Sequence, residues 1–373
     1  MNDVCSTATT GHRKSLPVAV RELIARLLCI VGVPGLARLR QRHRLTILMF
    51  HGVEAEPLVP SCWHVLDAAT FRRQLEYVRR HFHVLPLEEA LERLQTRTLP
   101  DWAAVLTFDD GTQNLATHAA PVLRDLGLPA AAFLTTGPMG TDEALWPDRL
   151  WLAVARTTRP DIDLTPLGLR NYSLRTDADR GQTYADAVMR LKALPDSDRI
   201  AEFKWIVTTL EPERNASAGP FQMLSWDEAR ALTHDGTMTL HPHTVSHPIL
   251  SQCTDEKIER EISDSCATLE RETGCAPTIF AYPNGRARDF DERTKAVLRR
   301  CGIRWALSAI AGFADEGSDP LELPRIPVGT DLSFARFQLL VSGAFRRSPA
   351  LSTSPPVNTH FTSSPTASRS QSS

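Results

Sequence analysis

The chain has 373 residues, 42% hydrophobic and 23% charged, enough for one large α/β domain or two ordinary ones, and close to the composition of an average soluble globular protein. Its formal net charge of −2 leaves no basic footprint of the kind a nucleic-acid partner requires. Seven scattered cysteines with no C-x-x-C pair argue against a disulfide framework and for a reducing compartment.

In chain order, residues 1–16 are polar and are expected to be disordered. The start lacks a basic region followed by a long apolar core, so no standard secretory signal is visible, and the apolar stretch from Leu27 to Gly35 is too short to span a bilayer. Residues 17–44 read as one amphipathic helix with Val20, Leu23, Ile24, Leu27 and Leu28 on one face, closing in a basic cluster of Arg38, Arg40, Arg42, His43 and Arg44. Such a helix fits peripheral contact with an anionic membrane surface, or, as the commoner case, packing on the domain with its basic face in water. Strands are expected at Leu45–Gly52, His83–Leu87, the run ending at Phe108, and Ala130–Leu134. Helices are expected at Phe71–His81, Leu87–Leu94 and Leu115–Leu126, the last stopped by Gly127.

Residues 139–222 break this rhythm and read as a mainly helical insertion within a domain spanning 45–346. Alternation resumes with a capping box at Ser225–Glu228, then Met238–Leu240, a helix over Asp255–Thr273, Thr278–Tyr282, a helix over Asp291–Cys301, and Arg304–Ser308. Alternating strands and helices predict an α/β fold with a parallel sheet or barrel. Residues 347–373, rich in Ser, Thr and Pro, are expected to be disordered.

Three segments carry chemistry. In Val105-Leu106-Thr107-Phe108-Asp109-Asp110-Gly111 an apolar strand stops at two carboxylates, which repel each other unless a cation or shared proton offsets the cost. His243 and His247, four residues apart, supply the complement: one aspartate and two histidines make a three-ligand metal site, with the other aspartate free as a base. His241 is expected to turn away from His243 into the core or a supporting position. The turn after Phe280-Ala281-Tyr282, Pro283-Asn284-Gly285, can aim backbone N–H groups into a pocket as an oxyanion hole.

Together these segments resemble the polysaccharide deacetylases, the NodB-homology or carbohydrate esterase family 4 group, over roughly Thr46 to Val328. Thr107–Gly111, His243–His247 and Phe280–Gly285 look like the family's first three motifs. The resemblance implies a distorted (β/α) barrel of the NodB type and a divalent ion, usually Zn²⁺. It makes Asp109 the general base, Asp110, His243 and His247 the metal ligands, and the Asn284 backbone amide an oxyanion donor. Thr278 stands where the family usually carries an arginine that steadies the catalytic aspartate, and Arg286 and Arg325 are the substitutes at hand. The late Leu-x-His motif that donates the family's acid is replaced by Leu323-Pro324-Arg325-Ile326-Pro327-Val328. In members with rearranged motifs the acid comes from a strand ahead of the Asp-Asp segment, and Met49-Phe50-His51-Gly52-Val53 resembles that arrangement, making His51 the acid. The implied activity is metal-dependent removal of N-acetyl groups from amino sugars in a polysaccharide or glycan precursor. A formyl-sugar deformylase, an O-acetyl esterase or an inactive saccharide-binding member would be the alternatives. The implied partner is an N-acetylated saccharide, and the expected location is the cytoplasm, at the inner membrane face if the N-terminal helix touches lipid.

Overall fold

The computed structural model describes residues 17–210, 217–234 and 236–345. The expectations for 1–16 and 347–373 lie outside these residues. Seven parallel strands build the core: β1 (Thr46–Phe50), β2 (Ala103–Phe108), β3 (Ala130–Leu134), β4 (Met238–Pro242), β5 (Ile279–Ala281), β6 (Trp305–Ala311) and β7 (Leu323–Pro327). They run in the order β5-β6-β7-β1-β2-β3-β4, with His83–Val84 added beside β2. Wrapped by helices, this is a nearly closed (β/α) barrel. The end strands β4 and β5 share no ladder. A side chain bridges the seam instead, His243 Nδ1 lying 2.7 Å from the carbonyl oxygen of Ala281.

Strand alternation divides the core in two. Ile47, Val105, Phe133, Ile279 and Leu307 fill the barrel interior. Leu48, Phe50, Leu106, Phe108 and Leu134 face outward, where Phe71, Leu75 and Val78 of a covering helix (Ala68–His81) meet them. On β2 the inward row is Ala103, Val105 and Thr107, so Asp109 continues it at the C-terminal mouth, the end at which such barrels carry their chemistry.

Several elements depart from the sequence expectation. The helix expected over 17–44 is two, α1 (Val18–Ile30) and α2 (Val33–Leu39), broken at Gly32, whose φ of +82° ends α1. The helix expected over 115–126 begins as a wide π turn over Leu115–Ala119, because Pro121 has no N–H to give the first α-helical turn. The helical region between β3 and β4 carries helices at Trp146–Arg156, Asp177–Lys192 and Asp196–Leu210, plus an antiparallel strand pair, Asp161–Asp163 with Asn171–Ser173. Its own apolar core includes Trp146, Leu150, Ile162, Tyr172, Leu191 and Ile206. Strand β7 was not anticipated, since Pro324 and Pro327 interrupt its pattern. It is nonetheless paired on both sides, Leu307 with Leu323 and Leu48 with Ile326. Among the described residues no helix is long and apolar enough to cross a membrane.

Candidate active site

Left-handed backbone shapes the C-terminal mouth of the barrel. Beyond β2 the chain turns sharply, with Asp110 at φ +77° and Gly111 at φ +90°. A Cβ on Gly111 would sit 2.9 Å from Leu134 Cδ2, so only glycine fits this turn against β3. Asp109 stays on the inward row, and Asp110 is rotated toward the loop after β4.

That loop is not helical. Thr244 (φ +69°) and His247 (φ +56°) take left-handed conformations, and these fold the four-residue spacing so that both imidazoles converge. The side chains of Asp110, His243 and His247 are all buried, with one donor atom of each within 4.8 Å of the others. His247 Nε2 is 3.3 Å and His243 Nε2 3.7 Å from Asp110 Oδ1. The Ala281 carbonyl takes the Nδ1–H of His243, which leaves the Nε2 lone pair facing Asp110, the tautomer a metal ligand needs. Asp110 Oδ1 and His247 Nδ1 have no hydrogen-bond partner among the described residues. Burial, with the Asp148 and Asp109 carboxylates, pushes the Asp110 carboxyl above the usual carboxylate range. A buried carboxylate left without a donor beside two imidazole lone pairs is a donor set that fits a divalent cation.

Asp109 has the opposite environment. Arg325 Nη1 and Nη2 donate to its Oδ1 and Oδ2, each at 2.7 Å, in a fully buried bidentate pair. The guanidinium is itself fixed by the Ser308 carbonyl through Nε at 2.8 Å. Burial raises the Asp109 carboxyl, but Arg325, with His243 and His51 nearby, outweighs it and holds the group below the usual carboxylate range. Of the two arginines proposed from sequence to stand in for the one replaced by Thr278, Arg325 makes this contact. Arg286 lines the cleft instead.

His51, Asn284, Trp63, His64, Asp148 and Tyr184 share the same cleft, of about 950 Å³ with its mouth included. Burial pulls the His51 imidazole down to about 3, against the opposing pull of Asp109, and its Nδ1 has no hydrogen-bond partner among the described residues. Asn284 is held at φ +61° by the tight turn before Gly285, where a Cβ would approach the backbone N of Ala309 to 2.7 Å. Among the described residues no main-chain acceptor engages the Asn284 N–H. His241 does not turn away from His243. Two residues apart, at the end of β4 and just beyond it, they share a side, and His241 lies a layer deeper against Phe133, its Nε2 2.9 Å from Thr239 Oγ1 and 3.2 Å from Glu88. Its place in the core is as expected.

Three contributors escaped the sequence reading. Glu261 accepts from the backbone N–H groups of Val245 (2.9 Å) and Ser246 (2.8 Å), tying down the histidine loop. Its signal was an acid on the apolar stripe of its helix, between Ile258 and Ile262. His64 pairs with Asp148 at 3.0 Å, and both are buried. Burial lowers the His64 imidazole, but Cys62 and Asp148 outweigh it and hold the ring protonated well above the usual histidine range. Trp146 donates from Nε1 to the His247 carbonyl at 3.1 Å, so the region between β3 and β4 buttresses the histidine loop. Glu261→Ala removes the carboxylate that accepts from the Val245 and Ser246 N–H groups and the Ser246 hydroxyl. It should weaken metal affinity about 10- to 100-fold, read by competition with a chelating dye, while circular dichroism stays unchanged.

The fold is a (β/α) barrel that gathers buried carboxylates and imidazoles at its C-terminal mouth. Residues 96–163 and 184–306, more than half of the chain, match the family model described as polysaccharide deacetylase. The chain belongs to the polysaccharide deacetylase family. Solved structures share the fold. Deacetylase PplD of Streptococcus pyogenes, solved in complex with acetate, is 17% identical, with a TM-score of 0.52 over 80% of this chain and 99% of that one. IcaB from Ammonifex degensii is 19% identical, with a TM-score of 0.53 over 80% and 97%. BC0361, a polysaccharide deacetylase from Bacillus cereus, is 15% identical, with a TM-score of 0.51 over 80% and 69%. No curated protein matches the sequence.

Proposed function

We propose that the protein is a metal-dependent hydrolase that removes N-acetyl groups from amino sugars in a polysaccharide or glycan precursor. The observation that carries this reading is the buried Asp110–His243–His247 cluster beside an aspartate clamped by Arg325. The three residues of the cluster would hold a divalent ion, Zn²⁺ by resemblance to the family. When bound, such an ion supplies Lewis acidity to a carbonyl and acidifies water. Asp109, kept ionised by Arg325, accepts the proton of the attacking water. The backbone N–H of Asn284 donates to the oxygen on which charge develops. The amine must leave as a neutral group, so a proton has to be delivered from the other wall of the cleft.

His51 is the proposed donor. Burial disfavours its charged form, whereas His64, its ring centroid 5.5 Å away, is paired with Asp148 at 3.0 Å and its imidazole is raised by Cys62 and Asp148. This contrast favours a second reading, in which His64 supplies the proton directly or through His51. His51→Gln and His64→Gln separate the two. The variant lacking the donor should lose about 100- to 10,000-fold in kcat, and loss in both would mark a relay.

The proposal places the enzyme in the cytoplasm, with peripheral contact at the inner membrane face. Acetate release from N-acetylated chitooligosaccharides tests the chemistry. Parallel assays with N-formyl and O-acetyl sugars would, by faster turnover there, replace the N-acetyl assignment with a deformylase or an esterase.

A further inference from the structure

The N-terminal helices are packed inside out. α1 meets the domain through small residues: Ala25 is buried against Ala335 and Leu339, and Cys29 Sγ lies 3.4 Å from the Ala335 carbonyl oxygen. Its large side chains point the other way. Val20, Leu23, Ile24 and Leu27 recur at helical spacing on the outer face, and Leu36 and Leu39 of α2 extend the patch. Of thirteen large apolar side chains exposed among the described residues, ten fall between Val18 and Leu39, at 37–80% exposure, and only Val59, Met189 and Trp205 lie elsewhere. A monomer in water does not gain from such a face.

Its surroundings are basic. Residues 17–44 hold six arginines against one glutamate in a chain whose net charge is −2; Arg26, Arg42 and Arg44 pair with Glu22, Asp101 and Asp315, and among the described residues the remaining three do not pair. Arg21 and Arg40 are exposed and make no ion pair among the described residues, and Arg79 and Arg80 share a surface hollow with Arg38, likewise without a carboxylate partner. A strip of leucine, isoleucine and valine edged by unpaired arginines matches a bilayer whose acyl region is apolar and whose headgroups are anionic. A second copy of the chain would bring the same positive charge to both sides of an interface. We infer that α1 and α2 form an in-plane docking surface for an anionic lipid bilayer, with Leu23, Leu27, Leu36 and Leu39 entering the headgroup–acyl boundary and Arg21 and Arg40 on the lipid charges. The inference specifies the peripheral contact included in the proposed function and is independent of the chemistry at the barrel mouth.

The test is co-flotation of the full chain with phosphatidylglycerol–phosphatidylcholine vesicles and with phosphatidylcholine vesicles. The wild type should float with the anionic vesicles and bind the neutral ones at least about tenfold more weakly. Leu23→Glu with Leu27→Glu, at exposed positions that leave the core intact, should lose binding to both. Arg21→Glu with Arg40→Glu should lose the preference for anionic lipid. Absence of wild-type binding, or equal binding to both vesicles, overturns the inference. So does a solution dimer that the Leu23/Leu27 variant dissociates with no vesicle binding, because the face would then join two copies. Acetate release from a soluble oligosaccharide, measured in parallel, reads the hydrolase separately.

Discussion

Asp109→Asn is expected to lower kcat about 100- to 10,000-fold, the range removed with a positioned general base, while the protein keeps its metal. The prediction follows from the division of the two aspartates. Asp110 faces the two histidine Nε2 atoms, whereas both oxygens of Asp109 are turned to Arg325. Asparagine preserves shape and hydrogen-bonding size but accepts no proton. It also leaves the Arg325 charge without its counterion, so kinetics must be taken well below the variant's unfolding midpoint. Metal content by mass spectrometry and turnover under saturating substrate settle the matter. Loss of the metal together with activity would place Asp109 among the ligands and contradict the division of roles.

Arg325→Met should be the most destabilising single change at the site, by about 3–5 kcal/mol, because it strands a carboxylate in a buried setting. Arg325 is fully buried and Asp109 nearly so, and among the described residues no other guanidinium pairs with that carboxylate. Urea unfolding measures the loss. The double variant Asp109→Leu with Arg325→Met removes both charges, and it should recover much of the stability while remaining inactive. That outcome would show that the pair is kept for chemistry. A double variant no more stable than Arg325→Met would instead mean that lost packing or the Ser308 contact dominates the cost.

Much of the barrel could be read from the sequence because its strands are short apolar runs ended by turn residues, as at Val105–Gly111 and Ala130–Leu134. The long helix over Asp255–Thr273 was legible from its apolar period and cap. What escaped notice depended on long-range contacts. Strand β7 carries two prolines, and its place between β6 and β1 comes from pairing that no local pattern encodes. Arg325 could be named as a substitute for the arginine replaced by Thr278, but only tertiary structure brings it across 216 residues to Asp109. The convergence of His243 and His247 rests on left-handed backbone at two non-glycine residues, which spacing alone does not reveal. The inside-out packing of α1 was hidden for a different reason. The sequence gives an apolar face, but which face meets the domain was decided by the small residues Ala25 and Cys29 fitting closely against Ala335.

The central claim, a metal-dependent deacetylase, is tested most directly by stripping the purified protein with a chelator and titrating zinc back while following acetate release from N-acetylated chitooligosaccharides. Activity should vanish on stripping and return in proportion to bound metal, saturating at about one equivalent, with His247→Ala failing to recover it. Acetate release that persists unchanged in metal-free protein, or a protein that binds no zinc at the Asp110–His243–His247 cluster, would contradict the account.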